Sequence, residues 1–196
     1  MNIVFENINK KYNDKVVLNN FNNIFEDKAI SFITGTSGVG KTTLIRILMN
    51  LEKADSGKII GTEDKRISAV LQEDSLCENL SVLLNIKLVC KDISELEIEN
   101  ALELVNLKEC INKRVRELSG GMKRRIAILR ALLYDFDLLI MDEPFKGLDL
   151  DTRCRVMDFV ISKIENKSVI IITHDMNDIK YFKTCKKLKV NQILFG

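Results

Sequence analysis

Three short runs are apolar at nearly every position: Ala29-Ile-Ser-Phe-Ile-Thr34, Leu138-Leu-Ile-Met141 and Val169-Ile-Ile-Ile-Thr173. A half-exposed strand alternates apolar and polar residues. Continuous apolar runs of this length predict strands buried on both faces, as in a parallel sheet flanked by helices. Each run is followed by a helical pattern, the first over residues 41–51. From about Ser81 to Leu107 the apolar spacing becomes helical: Val82, Leu83, Ile86 and Val89 share one face, and Ile98, Leu102 and Val105 another. Gly120 to Leu133 predicts a further helix. Residues 1–30 read as short strands, with turns at Tyr12-Asn-Asp-Lys15 and Asn19-Asn20. Ile59–Ile60 and Ile67–Leu71 are short strand candidates around Gly61. The pattern is α/β.

The residues that end the three runs turn this fold into a site. In open α/β sheets, ligands bind beyond the carboxyl ends of the strands. The first run ends at Gly35-Thr36-Ser37-Gly38-Val39-Gly40-Lys41-Thr42, which fits the phosphate-loop pattern G-x-x-x-x-G-K-[ST]. The glycines let successive N–H groups face one concavity, and the following helix adds the positive end of its dipole. Lys41 would reach the β- and γ-phosphates, and the Thr42 hydroxyl would ligate Mg²⁺. The alternative is a glycine-rich turn with a surface lysine. The second run ends at Asp142-Glu143. Asp142 would hold Mg²⁺ beside Thr42, and Glu143 would polarise an attacking water. Alone, this pair would read as helix-capping acids before Pro144; beside a phosphate loop, the site reading is the better one. The third run ends at His174, the one histidine. Its strand-end position predicts a hydrogen bond donated to phosphate rather than service as the main base.

Leu118-Ser119-Gly120-Gly121-Met122 suggests a second anion site at a helix start. Ser119 is a good N-cap, two glycines open the backbone, and Lys123, Arg124 and Arg125 follow. The alternative is a capped helix with a solvated basic face. Two phosphate sites on one chain suggest a nucleotide gripped from two sides.

Composition adds limits. The 196 residues suit one domain, or one core with an inserted lobe; 46% are hydrophobic and 30% charged, as in ordinary globular proteins. A net charge of +2 without a long basic block gives no sign of a nucleic-acid partner. Cysteines at 77, 90, 110, 154 and 185 form no C-x-x-C pair and read as reduced thiols of a cytosolic protein. Met1-Asn-Ile-Val-Phe-Glu6 reads as a strand start rather than a signal peptide, and no apolar run approaches a membrane span.

Taken together, the motifs resemble those of the ATP-binding subunits of ABC transporters, over nearly the whole chain. The phosphate loop is Gly35–Thr42, Gln72 resembles the family's Q-loop glutamine, and Leu118–Met122 its signature motif. Leu138–Pro144 resembles the strand carrying the magnesium ligand and base. Gly147-Leu148-Asp149 resembles the loop crossing between partners, His174 matches the switch histidine, and Tyr12 the aromatic that stacks on adenine. The resemblance implies a P-loop nucleoside triphosphate hydrolase: a mainly parallel sheet core, an antiparallel β subdomain and an inserted helical subdomain. The single domain would divide into a core of about 1–72 and 135–196 and a helical lobe of about 73–134. It implies an Mg²⁺-dependent ATPase with Glu143, His174, Lys41 and Gln72 in catalysis. ATP would contact Tyr12, Gly35, Thr36, Ser37, Gly38, Val39, Gly40, Lys41, Thr42, Thr43, Gln72 and His174, and Ser119, Gly120, Gly121 and Asp149 from across a head-to-tail dimer. Thr42, Gln72 and Asp142 would hold Mg²⁺. Stacking on Tyr12 would use its ring rather than its hydroxyl.

The implied partners are integral membrane permease subunits, a second copy or a second ATPase subunit, and a solute-binding protein. The implied location is peripheral, on the cytoplasmic face of the membrane. Met122 stands where glutamine is commoner, and Lys146 is an unusual choice after Pro144. Met122 and Leu71-Gln-Glu-Asp74 are similar to importers of nitrate, sulfonates, taurine and pyrimidine precursors. The short segment after His174 leaves no room for an appended regulatory domain, as expected of a minimal member. Three alternatives stay open: a P-loop kinase acting on a small metabolite, a soluble non-transport ABC ATPase, and a cassette that binds ATP without hydrolysing it.

Overall fold

The computed structural model describes residues 1–195. The chain runs β1 (Ile3–Tyr12), β2 (Lys15–Phe25), β3 (Ile30–Thr34), α1 (Lys41–Leu48), β4 (Ser56–Ile60), β5 (Ile67–Val70), α2 (Val82–Lys87), α3 (Glu95–Leu104), α4 (Gly120–Leu133), β6 (Leu138–Asp142), α5 (Leu150–Lys163), β7 (Ser168–Ile172), α6 (Met176–Thr184) and β8 (Val190–Leu194). Two sheets form. One is antiparallel, in the order β2-β1-β4; the other is parallel, in the order β5-β6-β7-β3-β8.

The three apolar runs are the central strands of the parallel sheet, and every residue of β3, β6 and β7 is buried. Their side chains divide by parity. Ile30, Phe32, Leu139, Met141, Val169 and Ile171 pack with α2 to α6 on one face. Ile33, Leu138, Ile140, Ile170 and Ile172 pack with α1 and the antiparallel sheet on the other. A layer on each face explains why no alternation is visible in these runs. Helices α2, α3 and α4 all lie between β5 and β6.

Two local expectations are corrected. Residues 1–30 form two long strands, joined by a tight hairpin whose closing pair is Tyr12 and Lys15. Asn19-Asn20 is no turn: it lies inside β2, where the register slips between Lys10–Leu18 and Ile8–Phe21. The Asn9 side chain takes the Asn20 N–H there at 2.7 Å, so a polar pair marks a bulge rather than a reversal. The helical stretch 81–107 is two capped helices, with Ser81 accepting from Leu84 N and Ser94 closing a capping box with Glu97. Val89 lies beyond α2 and is exposed. Asn85 is buried in its place, and its side chain is bonded to Cys77 N, Cys77 O and Ser81 O. An apolar count cannot anticipate a buried amide satisfied by its own preceding loop.

Candidate active site at the carboxyl edge of the parallel sheet

Strand β3 delivers the phosphate loop. Gly35 has φ 151°, and a Cβ there would lie 2.1 Å from the Phe195 carbonyl oxygen, just beyond β8. Gly40, at φ 109°, caps α1; a Cβ there would lie 2.9 Å from both the Val17 side chain and carbonyl. Larger residues would push the loop out of its curve. Lys41 opens α1 and is buried, and its ammonium donates to Gly35 O at 2.8 Å and Thr36 O at 2.7 Å. These bonds use two of its three donors and hold the charge inside the loop.

Strand β6 ends at Asp142, which is buried and accepts a 2.8 Å hydrogen bond from the Thr42 hydroxyl. Burial raises its pKa, as does the neighbouring Glu143 charge; the Thr42 hydroxyl, Arg124 and Lys41 pull the other way. Glu143 follows in a left-handed conformation, φ 48°, uncommon outside glycine and asparagine. Its Oε1 lies 2.8 Å from Nδ1 of His174, which follows β7. An ionised carboxylate can only accept, so Nδ1 carries the hydrogen of this bond. The residues on either side of the histidine are held in place. The Thr173 hydroxyl donates to buried Asp178 at 2.8 Å, and Arg153 of α5 bonds Asp178 and Asp175.

These groups line one cleft of about 800 Å³. It is bounded by Tyr12, Gly35–Gly38, Gly40–Thr43, Gln72, Asp142, Glu143 and His174, with Lys15, Val17, Lys146 and Ile172 completing the wall. The sequence-predicted residues thus largely converge. Val39 is the exception within the loop: it is not among the lining residues, and packs on the core beside α1. Ser119, Gly120, Gly121 and Asp149 stand outside this cleft. Ser119 caps α4 by accepting from Met122 N, and Asp149 caps α5 by accepting from Thr152 N. The two caps belong to one neighbourhood, since a Cβ on Gly121 would lie 3.6 Å from the Leu148 side chain.

The donors suit a hard cation. A hydroxyl and a buried carboxylate, side by side, offer oxygens only, and Gln72 lines the same wall. Among the described residues no group of three or more His, Cys, Asp or Glu side chains is arranged to hold a metal ion by itself. The pair therefore fits Mg²⁺ shared with substrate phosphates rather than a cage of protein ligands.

Two contributors were not legible. Glu52 binds the Tyr12 hydroxyl, and Lys10 sits 5.3 Å from the centre of the Tyr12 ring. Arg124, in a run that reads as part of a second anion site, is buried with its guanidinium against the end of β6. Its partners come from distant segments, so no local spacing marks it.

Residues 18–146 match the ABC transporter family. The zinc import ATP-binding protein ZnuC of Mannheimia succiniciproducens is 33% identical over 181 residues, covering 89% of this chain and 67% of the relative. The spermidine/putrescine import ATP-binding protein PotA of Clostridioides difficile is 33% identical over 194 residues, covering 90% of this chain and 56% of the relative. The chain thus spans between about half and two thirds of the length of such relatives. Among solved structures, the ATP-binding cassette MJ0796 superposes with a TM-score of 0.80 at 27% identity in a dimeric post-hydrolysis state bound to ADP and Pi, over 91% of this chain and 90% of that one. With the phosphate loop, the Thr42–Asp142 pair and the Glu143–His174 pair on one sheet edge, and with these matches, the chain belongs to the ABC transporter family of ATP-binding subunits.

Proposed function

We propose that this chain is the ATP-binding and ATP-hydrolysing subunit of a membrane transport system, working with permease subunits that carry the solute path. The observation that supports it best is the convergence of the phosphate loop, Asp142, Glu143 and His174 in one cleft. Among the described residues no helix is long and apolar enough to cross a membrane, so the reading assigns the crossing to a partner. The chain would sit peripherally at the cytoplasmic face. The relatives named above are import proteins, which favours import and a solute-binding protein in the same system. Their names are zinc and polyamine import, not nitrate, sulfonate or taurine import, so the reading stops at an importer's ATPase. The kinase and non-transport readings find no support among these relatives.

In this reading residues 1–72 and 135–196 form the nucleotide core, and 73–134 a helical lobe. Tyr12 stacks on the adenine. The N–H groups of residues 35–43 surround the phosphates, and Lys41 adds its charge through its remaining donor and by exchanging its carbonyl partners for phosphate oxygens. Thr42, Asp142 and Gln72 hold Mg²⁺, which neutralises charge on the phosphates when bound. Glu143 orients the attacking water and accepts its proton. His174 holds the Glu143 carboxylate through Nδ1. Ser119, Gly120, Gly121 and Asp149, being outside the cleft, meet the nucleotide of a second copy in a head-to-tail dimer.

Glu143→Gln tests this reading. The amide keeps the shape of the side chain but cannot take the proton. The variant is expected to bind ATP, lose turnover and accumulate as an ATP-bound dimer on gel filtration. Monomer alone, with undiminished hydrolysis, overturns both the base and the dimer.

A further inference from the structure

We infer that Arg124 is the positioning residue that sets Glu143 for hydrolysis, joining the first turns of α4 to the carboxyl ends of β5 and β6. The inference rests on the ATPase reading and goes beyond it. A guanidinium has five N–H donors in a fixed fork. In Arg124 five bonds meet them, all between 2.5 and 3.0 Å: Nε to Pro144 O, Nη1 to Leu71 O and Asp74 Oδ1, and Nη2 to Asp142 O and Glu143 O. Four of the five acceptors are backbone carbonyls, and three of those are consecutive.

Consecutive carbonyls in a strand point to opposite sides. Those of residues 142–144 can meet at one guanidinium because the chain turns at Glu143, whose φ of 48° is left-handed. That conformation is strained for a residue with a side chain and persists where the surroundings impose it. The same turn brings the Glu143 carboxylate to His174 Nδ1. The other arm of the fork holds Leu71 O and Asp74, on either side of Gln72. One buried side chain thus fixes both the proposed base and the segment carrying the glutamine of the cleft. Packing alone would not hold this turn, since an apolar side chain could fill the space but would leave four carbonyls and Asp74 without their donor. Arg124 touches neither nucleotide nor water in this scheme; it acts through Glu143.

The test is steady-state hydrolysis by the full chain with Arg124→Gln, Arg124→Lys and Arg124→Ala. Without the fork, Glu143 relaxes toward extended backbone and its carboxylate leaves the water site. Misplacement of this kind costs between about tenfold and a hundredfold in kcat. The phosphate loop is untouched, so the thermal shift produced by ATP in excess EDTA, which needs neither Gln72 nor Asp142, stays within about twofold of wild type. Lysine keeps the charge but presents three donors from one point, so Arg124→Lys is also expected to lose kcat. Millimolar guanidinium ion is expected to restore part of kcat in Arg124→Ala and to leave the wild type unchanged. A variant with kcat within twofold of wild type overturns the inference. So does loss of kcat and ATP binding together, with no rescue. If Arg124→Gln has no cooperative melting transition, Arg124→Lys decides by the same criteria. A wild-type chain lacking Mg²⁺-dependent ATPase activity overturns the ATPase reading itself, and is recognised before any variant is assayed.

Discussion

Asp142 is a buried carboxylate, and its titration has a definite sign. Its pKa is raised in the folded state, chiefly by burial. The folded protein therefore binds the proton at a higher pH than the unfolded chain does. Stability then falls as pH rises from the ordinary carboxylate value of about 4 through the raised value, and the full cost is present above it. Asp142→Asn removes that cost. The nucleotide-free variant is expected to melt above wild type at neutral pH, with the gap closing on acidification toward the ordinary carboxylate range. It should also lose the Mg²⁺-dependent part of the ATP thermal shift. Melting curves against pH decide this; a variant that melts lower at neutral pH would mean that the Thr42 bond outweighs burial. Tyr12 raises a question of the same scale: the expectation that its ring acts alone meets a hydroxyl held by Glu52, whose pKa is lowered first by that bond. Tyr12→Phe is expected to weaken ATP binding by about two- to tenfold, the size of one lost hydrogen bond. Glu52→Gln should do so by a similar factor, measured with a fluorescent ATP analogue; wild-type affinity in both would mean that the ring alone matters. Lys41, Thr42, Asp142, Glu143 and His174 were legible as residues because each sits at the end of a recognisable strand or motif. Arg124 and Glu52 were not, because what fixes them is carbonyls and a hydroxyl tens of residues away.

Helix α4 does two jobs at its start. Ser119 satisfies an otherwise unpaired N–H, and under the proposed dimer the same turn faces the phosphates of a second copy. Two substitutions separate these roles. Ser119→Ala removes the cap and is expected to cost about 1 kcal/mol, or about 2–4 °C in melting temperature for a chain of this size. Ser119→Asp caps as well as serine and places negative charge where the helix dipole favours it. Its melting temperature should equal or exceed that of wild type, while ATP-dependent dimerisation fails because a carboxylate meets phosphate. An aspartate variant that still dimerises with ATP would remove this turn from the nucleotide site. Elements whose apolar pattern is continuous or cleanly periodic, such as β3, β6, β7 and α4, were legible with nearly correct ends. The bulge in β2 and the break between α2 and α3 were not. The first depends on the Asn9 side chain taking a backbone N–H of β2 and the second on the Ser94–Glu97 capping box that restarts the helix, and apolar periodicity carries no record of either.

At the scale of the molecule, the sequence shows which strands are central but not their order. That order, β5-β6-β7-β3-β8, is set by which helix covers which face and leaves no mark on any single strand. It has a kinetic consequence. Strand β3, which ends at the phosphate loop, precedes β7 and β8 by more than a hundred residues but lies between them, formed as they are from residues 168–172 and 190–194. Its neighbours must be brought back across more than a hundred residues, and such closures are slow and come late. A chain still lacking those strands has no backed phosphate loop, so nucleotide has little to bind until the sheet is complete. Ligand that engages only the finished state raises the barrier to leaving it and does nothing for arrival. Mg²⁺–ATP should therefore slow unfolding in denaturant in proportion to its saturation while leaving the refolding rate unchanged. Refolding that accelerates with ATP would mean the loop is already seated at the transition state. On this view the chain emerges through residues 35–190 without the stabilisation that nucleotide provides, and nucleotide acts as a latch on a door that has already closed.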